Sequence, residues 1–208
     1  MQEIKTMPYS EKYAIILDRI KSHDVLLSPF IKKHLGEQAL VELKKLWQEG
    51  VKPIPEDAST EEKYEIAYGN LMWQGKSNLK FIRMHLGDEG IEQYKLEQVK
   101  ELKRKNASPV LIMLGLLRAV SPGSVFTMTA KKMAYQIRWL LPSMSLVELT
   151  PNKAVYNIPQ CKVIGFPDME EACTIDCQDA YPMWLSEQLK VGLKFKRQGN
   201  SCTAILTR

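Results

Sequence analysis

The residues best suited to chemistry in this chain are its four cysteines, Cys161, Cys173, Cys177 and Cys202, none of which falls earlier than position 161. Eleven residues separate the first two, three the middle pair and 24 the last two. Four thiolates match the ligand count of a tetrahedral structural zinc, and they also match an iron–sulfur cluster. Cys173 and Cys177 bracket Thr174-Ile175-Asp176, a C-x3-C spacing inside the loose zinc range. Glu170, Glu171 and Asp176 are neighbouring oxygen donors that could replace one sulfur. The plainer account is burial, since cysteine packs as a small hydrophobe. Cys202 is in phase with Ala204 and Leu206, which suits a packed strand.

A single reactive thiol is the other chemical reading. Cys177 precedes an expected helix, and a helix N-terminus lowers a thiol pKa. A nucleophilic cysteine also needs a base. The histidines are His23, His34 and His85, all in the first half of the chain. His85 lies on the helix expected to be central, but no spacing joins it to a cysteine, and a surface or satisfied core histidine is the ordinary account.

The setting favours reduced thiols. The N-terminus, Met1 to Ser10, has no apolar signal-peptide core. The longest apolar run, Val110 to Leu117 and interrupted only by Gly115, is far too short to span a bilayer and reads as a buried helix. A cytoplasmic protein without a membrane span is therefore expected, and there clustered cysteines suggest metal or catalysis before disulfides. In a chain of 208 residues, 45% hydrophobic and 25% charged content excludes a disordered or collagen-like class. Four cysteines are too few for a disulfide scaffold, and a net charge of +5 is no histone-like tail.

Helices must position these groups through the first two-thirds. Tyr13, Ile16, Leu17 and Ile20 share a face, and Ser28-Pro29 reads as a new helix start running to Gly50. Ser59 or Thr60 can cap the next helix, whose apolar positions from Tyr64 to Leu86 recur at three or four until Gly87. A thinner stripe follows at Ile91, Tyr94, Gln98, Val99 and Leu102, and another from Ala130 to Leu141. After Pro142 the periodicity changes. Leu146 to Leu149 and Ala154 to Tyr156 read as a hairpin, 159 to 178 as a long loop, and Asp179 to Val191 as a helix with Gln188 facing inward. Leu193 to Arg197 and Cys202 to Thr207 form a second hairpin around Gly199-Asn200. The expectation is one α+β domain over 1–208. A helical part, 1–142, packs on a small antiparallel sheet in a β-β-α-β-β part, 143–208, that holds the cysteines.

The segment through Cys161, the run Cys173-Thr-Ile-Asp-Cys177, a helix, Lys194-Phe-Lys-Arg197 and Gly199-Asn-Ser-Cys-Thr-Ala-Ile-Leu206 resembles the tail of the L-2-amino-thiazoline-4-carboxylic acid hydrolase-like family. The layout is also similar to the 4-vinyl-reductase superfamily, whose fold is shared with TRAPP transport subunits. The resemblance covers about residues 140 to 208 by motif, and the C-x3-C pair departs from the superfamily's usual spacing. It implies a helical N-terminal half, a small C-terminal sheet, and a zinc site of cysteines plus an acidic residue beside a small-molecule pocket.

Tyr68, Trp73, Arg83, His85, Arg138 and Trp139 are the expected ligand-lining groups, with Arg138 facing a ligand carboxylate or Glu148. The basic segments at 100–105, 131–132 and 194–197 alternate with other residues as on solvated faces, so nucleic acid is not the expected partner. No P-loop, G-x-G-x-x-G or H-E-x-x-H motif occurs. Three functions follow. The first is a vinyl-reductase-like small-molecule-binding domain with a metal site at Cys161, Cys173, Cys177 and Cys202, zinc before iron–sulfur. The second is a hydrolase of a small cyclic amidine or amide acid, using Cys177 or a metal-bound water. The third is a scaffold subunit, for which the edge strands allow a homodimer.

Overall fold

The computed structural model describes residues 5–106 and 121–208. The apolar run Val110 to Leu117 lies outside the described residues. Two long helices dominate, α1 (Tyr9–Gly50) and α2 (Thr60–Asn106). They pack along one another, then α3 (Pro122–Gln136) and a 3-10 turn (Ile137–Trp139) lead into the C-terminal sheet.

The helix expected to start at Ser28-Pro29 does not start there. Helix α1 runs through Pro29, which is exposed, and the Ser28 hydroxyl donates one turn back to Asp24 instead of capping. The break falls at Gly36, where φ is 86°, a conformation that costs glycine nothing. Gly87 interrupts α2 in the same way at φ 63°, as the sequence expects. Ser59 starts α2 with a reciprocal capping box. Its backbone N–H donates to Glu62 Oε2 at 2.8 Å, and the Glu62 N–H donates to Ser59 Oγ at 3.2 Å.

The sheet is antiparallel, with β1 (Ser145–Leu149), β2 (Lys153–Ile158), β3 (Gly192–Gln198) and β4 (Ser201–Thr207) in the order β1-β2-β4-β3. The last strand is therefore central, flanked by β2 and β3. Cys202, Ala204 and Leu206 alternate as its buried residues, so period-2 patterning places Cys202 on the inner face. The fold is α+β, with the helical part packed on this small sheet and an apolar cluster running from Met7 and Ile16 to Leu206.

The segment between the two hairpins differs from expectation. A helical turn, α4 (Glu170–Ala172), opens it, a π-helical stretch follows at Cys173–Ala180, and α5 (Tyr181–Leu189) closes it. Cys173 and Cys177 thus stand on helix rather than on loop, and Gln188 is exposed rather than inward. The expected loop is rich in Pro, Gly and Asp only as far as Asp168, whose φ of 60° sets the turn into the helix.

Candidate functional site

Three elements bring the cysteines together. Cys161 follows β2, and its backbone N–H donates to Asn200 O at 2.8 Å, tying this loop to the β3–β4 turn. Cys173 and Cys177 lie four apart on the π-helical stretch, so they share one face. Cys202 opens β4 opposite Ile158 on one side and Arg197 on the other. All four are free thiols, and three of them are buried.

Their electrostatics show one shared neighbourhood. The Cys177 thiol donates a hydrogen bond to Cys173, which pulls the Cys173 thiol down from 9.0 to about 7, with the Arg197 guanidinium adding to the effect. The same hydrogen bond, with burial and the adjacent Asp176, pushes Cys177 well above its ordinary value. Burial pushes Cys202 up to about 11, and charge on Cys173 and Cys161 adds to that rise. Cys161 also raises Cys177, so its charge reaches both Cys177 and Cys202, and that of Cys173 reaches the same two. Of the adjacent pair, Cys173 rather than the expected Cys177 is the better thiolate at neutral pH.

Arg197, which the sequence marks only as the end of the Lys194-Phe-Lys-Arg197 strand and of a basic segment, stands beside the cysteines. It closes the inner-face series Leu193, Phe195, Arg197, paired in register with Leu206, Ala204 and Cys202. Its Nη2 donates to Glu170 Oε1 at 2.9 Å and its Nε to Gly199 O at 3.0 Å, fixing the cation beside the thiols. A charge in phase with two inward apolar positions was the available signal. Asp176, between the two cysteines in sequence, is desolvated, which raises its carboxyl from 3.8 to about 6 against a hydrogen bond from Gln98.

The expected lining residues divide. Tyr68 belongs with the cysteines: it is buried, its hydroxyl has no hydrogen-bond partner, and burial followed by charge on Cys161 raises its pKa. Trp139 is buried, with the Arg19 guanidinium 5.8 Å over its ring. Arg138 donates to Met144 O at 3.3 Å and not to Glu148, which Lys153 holds at 2.8 Å. Trp73 packs into the α1–α2 interface, donating to Leu46 O at 3.1 Å. Arg83 and His85 are surface residues. Arg83 pairs with Asp88 and Glu171, and His85 stacks on Phe81 with centroids 4.3 Å apart.

Zinc, the group that the resemblance implies, meets a donor set of suitable type, four soft sulfurs drawn from three segments. Among the described residues, however, no group of three or more His, Cys, Asp or Glu is disposed to hold a metal ion. The donors fit in kind and neighbourhood, and a bound ion would require the sulfurs to close up. Among the described residues no helix is long and apolar enough to cross a membrane. Comparison with known families, with curated proteins and with solved structures finds no match.

Proposed function

We propose that this chain is a small-molecule-binding domain of the vinyl-reductase-like type whose C-terminal cysteines form a zinc site. The observation that supports this reading is the mutual influence of cysteines drawn from the loop after β2, the π-helical stretch and β4, with Cys161 and Cys173 each acting on both Cys177 and Cys202. Those four thiolates would hold the ion. Bound there, zinc supplies a cross-link among the three segments and contributes folding energy directly. Tyr68, whose buried hydroxyl has no partner among the described residues, lies on the helical side within reach of charge on Cys161 and Cys177. Metal analysis of protein purified without a histidine tag tests the reading. About one zinc per chain is expected, lost together with melting stability in Cys173→Ser and Cys177→Ser. Metal-free protein and variants as stable as the parent would overturn it.

The lowered pKa of Cys173 favours one second reading, a hydrolase of a small cyclic amidine or amide acid. Cys173, its thiolate stabilised by the Cys177 S–H and the Arg197 cation, would attack the ring carbon; the ring C–N bond would break as the nitrogen takes a proton, and water would then cleave the carbon–sulfur bond and return the thiolate. Hydrolysis that survives metal removal and vanishes in Cys173→Ser would select this reading.

A further inference from the structure

Lys12 is an anomaly in the helical layer. It is only 6% exposed, yet among the described residues it forms no ion pair. Its Nζ lies 4.3 Å from the centroid of the Tyr9 ring and 5.4 Å from that of Tyr64. Lysine is almost never this buried without a partner. Its nearest charged company makes matters worse. Burial, then the cations of Lys162 and Arg138, hold its amine below the ordinary lysine value, with only partial relief from Glu65 and Glu61. Both carboxylates are committed elsewhere. Glu65 binds Lys162 Nζ at 2.6 Å, and Glu61 accepts the Tyr9 hydroxyl.

Two guanidinium groups add to the surplus. Among the described residues, Arg138 Nε and Arg19 Nε are buried N–H donors without partners. Arg19 is two helical turns beyond Lys12 on α1 and sits over Trp139, the neighbour of Arg138 in sequence. The Tyr64 hydroxyl donates to Trp139 O at 3.0 Å and fixes the aromatic wall between them. An unsatisfied buried donor costs about 1–3 kcal/mol, more if charged. Two such guanidinium donors, with the Lys12 ammonium held against the rings beside them, are a cost that an anion would remove.

We propose that Lys12, Arg138 and Arg19, with the rings of Tyr9, Tyr64 and Trp139, form a binding site for a small organic anion, a carboxylate or phosphate carried on a flat apolar body. The cations take the charged head and the rings take the body. This rests on the reading of the chain as a small-molecule binder and names the ligand chemistry of its helical side.

Calorimetric titration of the full chain with benzoate, phenyl phosphate and neutral benzyl alcohol tests the site, with zinc content measured on the same preparation. One or both anions bind, and benzyl alcohol binds at least about tenfold more weakly. The two anionic arms show which head is taken. Lys12→Met and Arg138→Gln each weaken anion binding by about tenfold or more, whereas Lys194→Gln on β3 leaves it unchanged. Lys12→Met also leaves the melting temperature of the ligand-free chain level or raised, because a lysine kept only for structure would lower it. Should Lys12→Met not fold, Arg138→Gln carries the test, and unchanged anion binding in that variant overturns the site. No binding of either anion, equal binding of benzyl alcohol, or unchanged binding in both variants overturns the proposal. A zinc-loaded chain blind to both anions sinks this inference alone, and an anion-binding chain without metal sinks the zinc site alone.

Discussion

Replacing Asp176 by asparagine is expected to stabilise the protein at neutral pH and to leave it unchanged in acid. Desolvation raises this carboxyl from 3.8 to about 6, so between those values the folded state holds a proton that the unfolded chain has released. Stability therefore falls as pH rises from about 4 to about 6 and stays lowered above that. A rise of roughly two units, at about 1.4 kcal/mol per unit, sets an upper limit near 3 kcal/mol. Asp176 keeps some contact with solvent, which trims the penalty to about 1–3 kcal/mol. Asparagine has nearly the same shape and no charge to desolvate. Its amide can also donate to Gln98 Oε1, which lacks a partner. For a chain of this size the gain reads as about 2 to 12 °C in melting temperature. Urea denaturation of both proteins from about pH 4 to about pH 7, in buffer without added metal, measures the gap directly. The gap should open as pH rises and vanish near pH 4. A variant less stable at pH 7, or a gap independent of pH, would refute the assignment of a desolvation penalty to this carboxylate.

The Cys173 thiolate offers a second measurement. In metal-stripped protein its ultraviolet band, taken as the difference between the parent chain and Cys173→Ser, should rise with a midpoint at about pH 7. Cys177→Ala moves that midpoint upward by removing the largest cause of the shift, and Arg197→Gln moves it upward by less. A midpoint unmoved in Cys177→Ala means that the two sulfurs are not hydrogen-bonded. Gly50→Ala probes the α1–α2 interface. A Cβ there would fall 2.0 Å from Trp73 Cε2, so the indole must move and loosen its hydrogen bond to Leu46 O. The expected cost is about 1–3 kcal/mol in thermal unfolding, and an unchanged melting temperature would show that the interface absorbs the methyl group freely.

Much of this architecture is legible where local chemistry and tertiary context agree. The capping box at Ser59 and Glu62, the break at Gly87 and both hairpins are written in residue types with short-range causes. The misplaced break in α1 shows where such grammar fails. Ser28-Pro29 has the residues of a helix start, but Leu27, Phe30 and Ile31 on either side are core residues. Burying that continuous face outweighs the interruption, and the bend passes to Gly36, whose exposed position needs no side chain. The π-helical stretch was hidden for a related reason. Glu170 to Cys177 carries no strong apolar period, because its inward positions include Cys173 and the half-buried Asp176 and Cys177.

Arg197 and Lys12 are the same kind of signal on two elements. Each is a cation in phase with apolar residues, Arg197 after Leu193 and Phe195 on β3, and Lys12 four before Ile16 on α1. Alternation and helical spacing treat such a residue as noise in a hydrophobic pattern. Physically it is the opposite, because a buried charge such as Lys12 must be satisfied or it costs stability, while the exposed Arg197 can act on its neighbours without that cost. Arg197 finds Glu170, a backbone carbonyl and the thiols, so its charge is spent on tuning Cys173. Lys12 lies against rings beside other cations, with Glu65 and Glu61 giving only partial relief. That asymmetry separates a cation whose charge is met within the chain from one whose charge is not, and it is the reason the proposed anion site lies on the helical side rather than at the sulfurs.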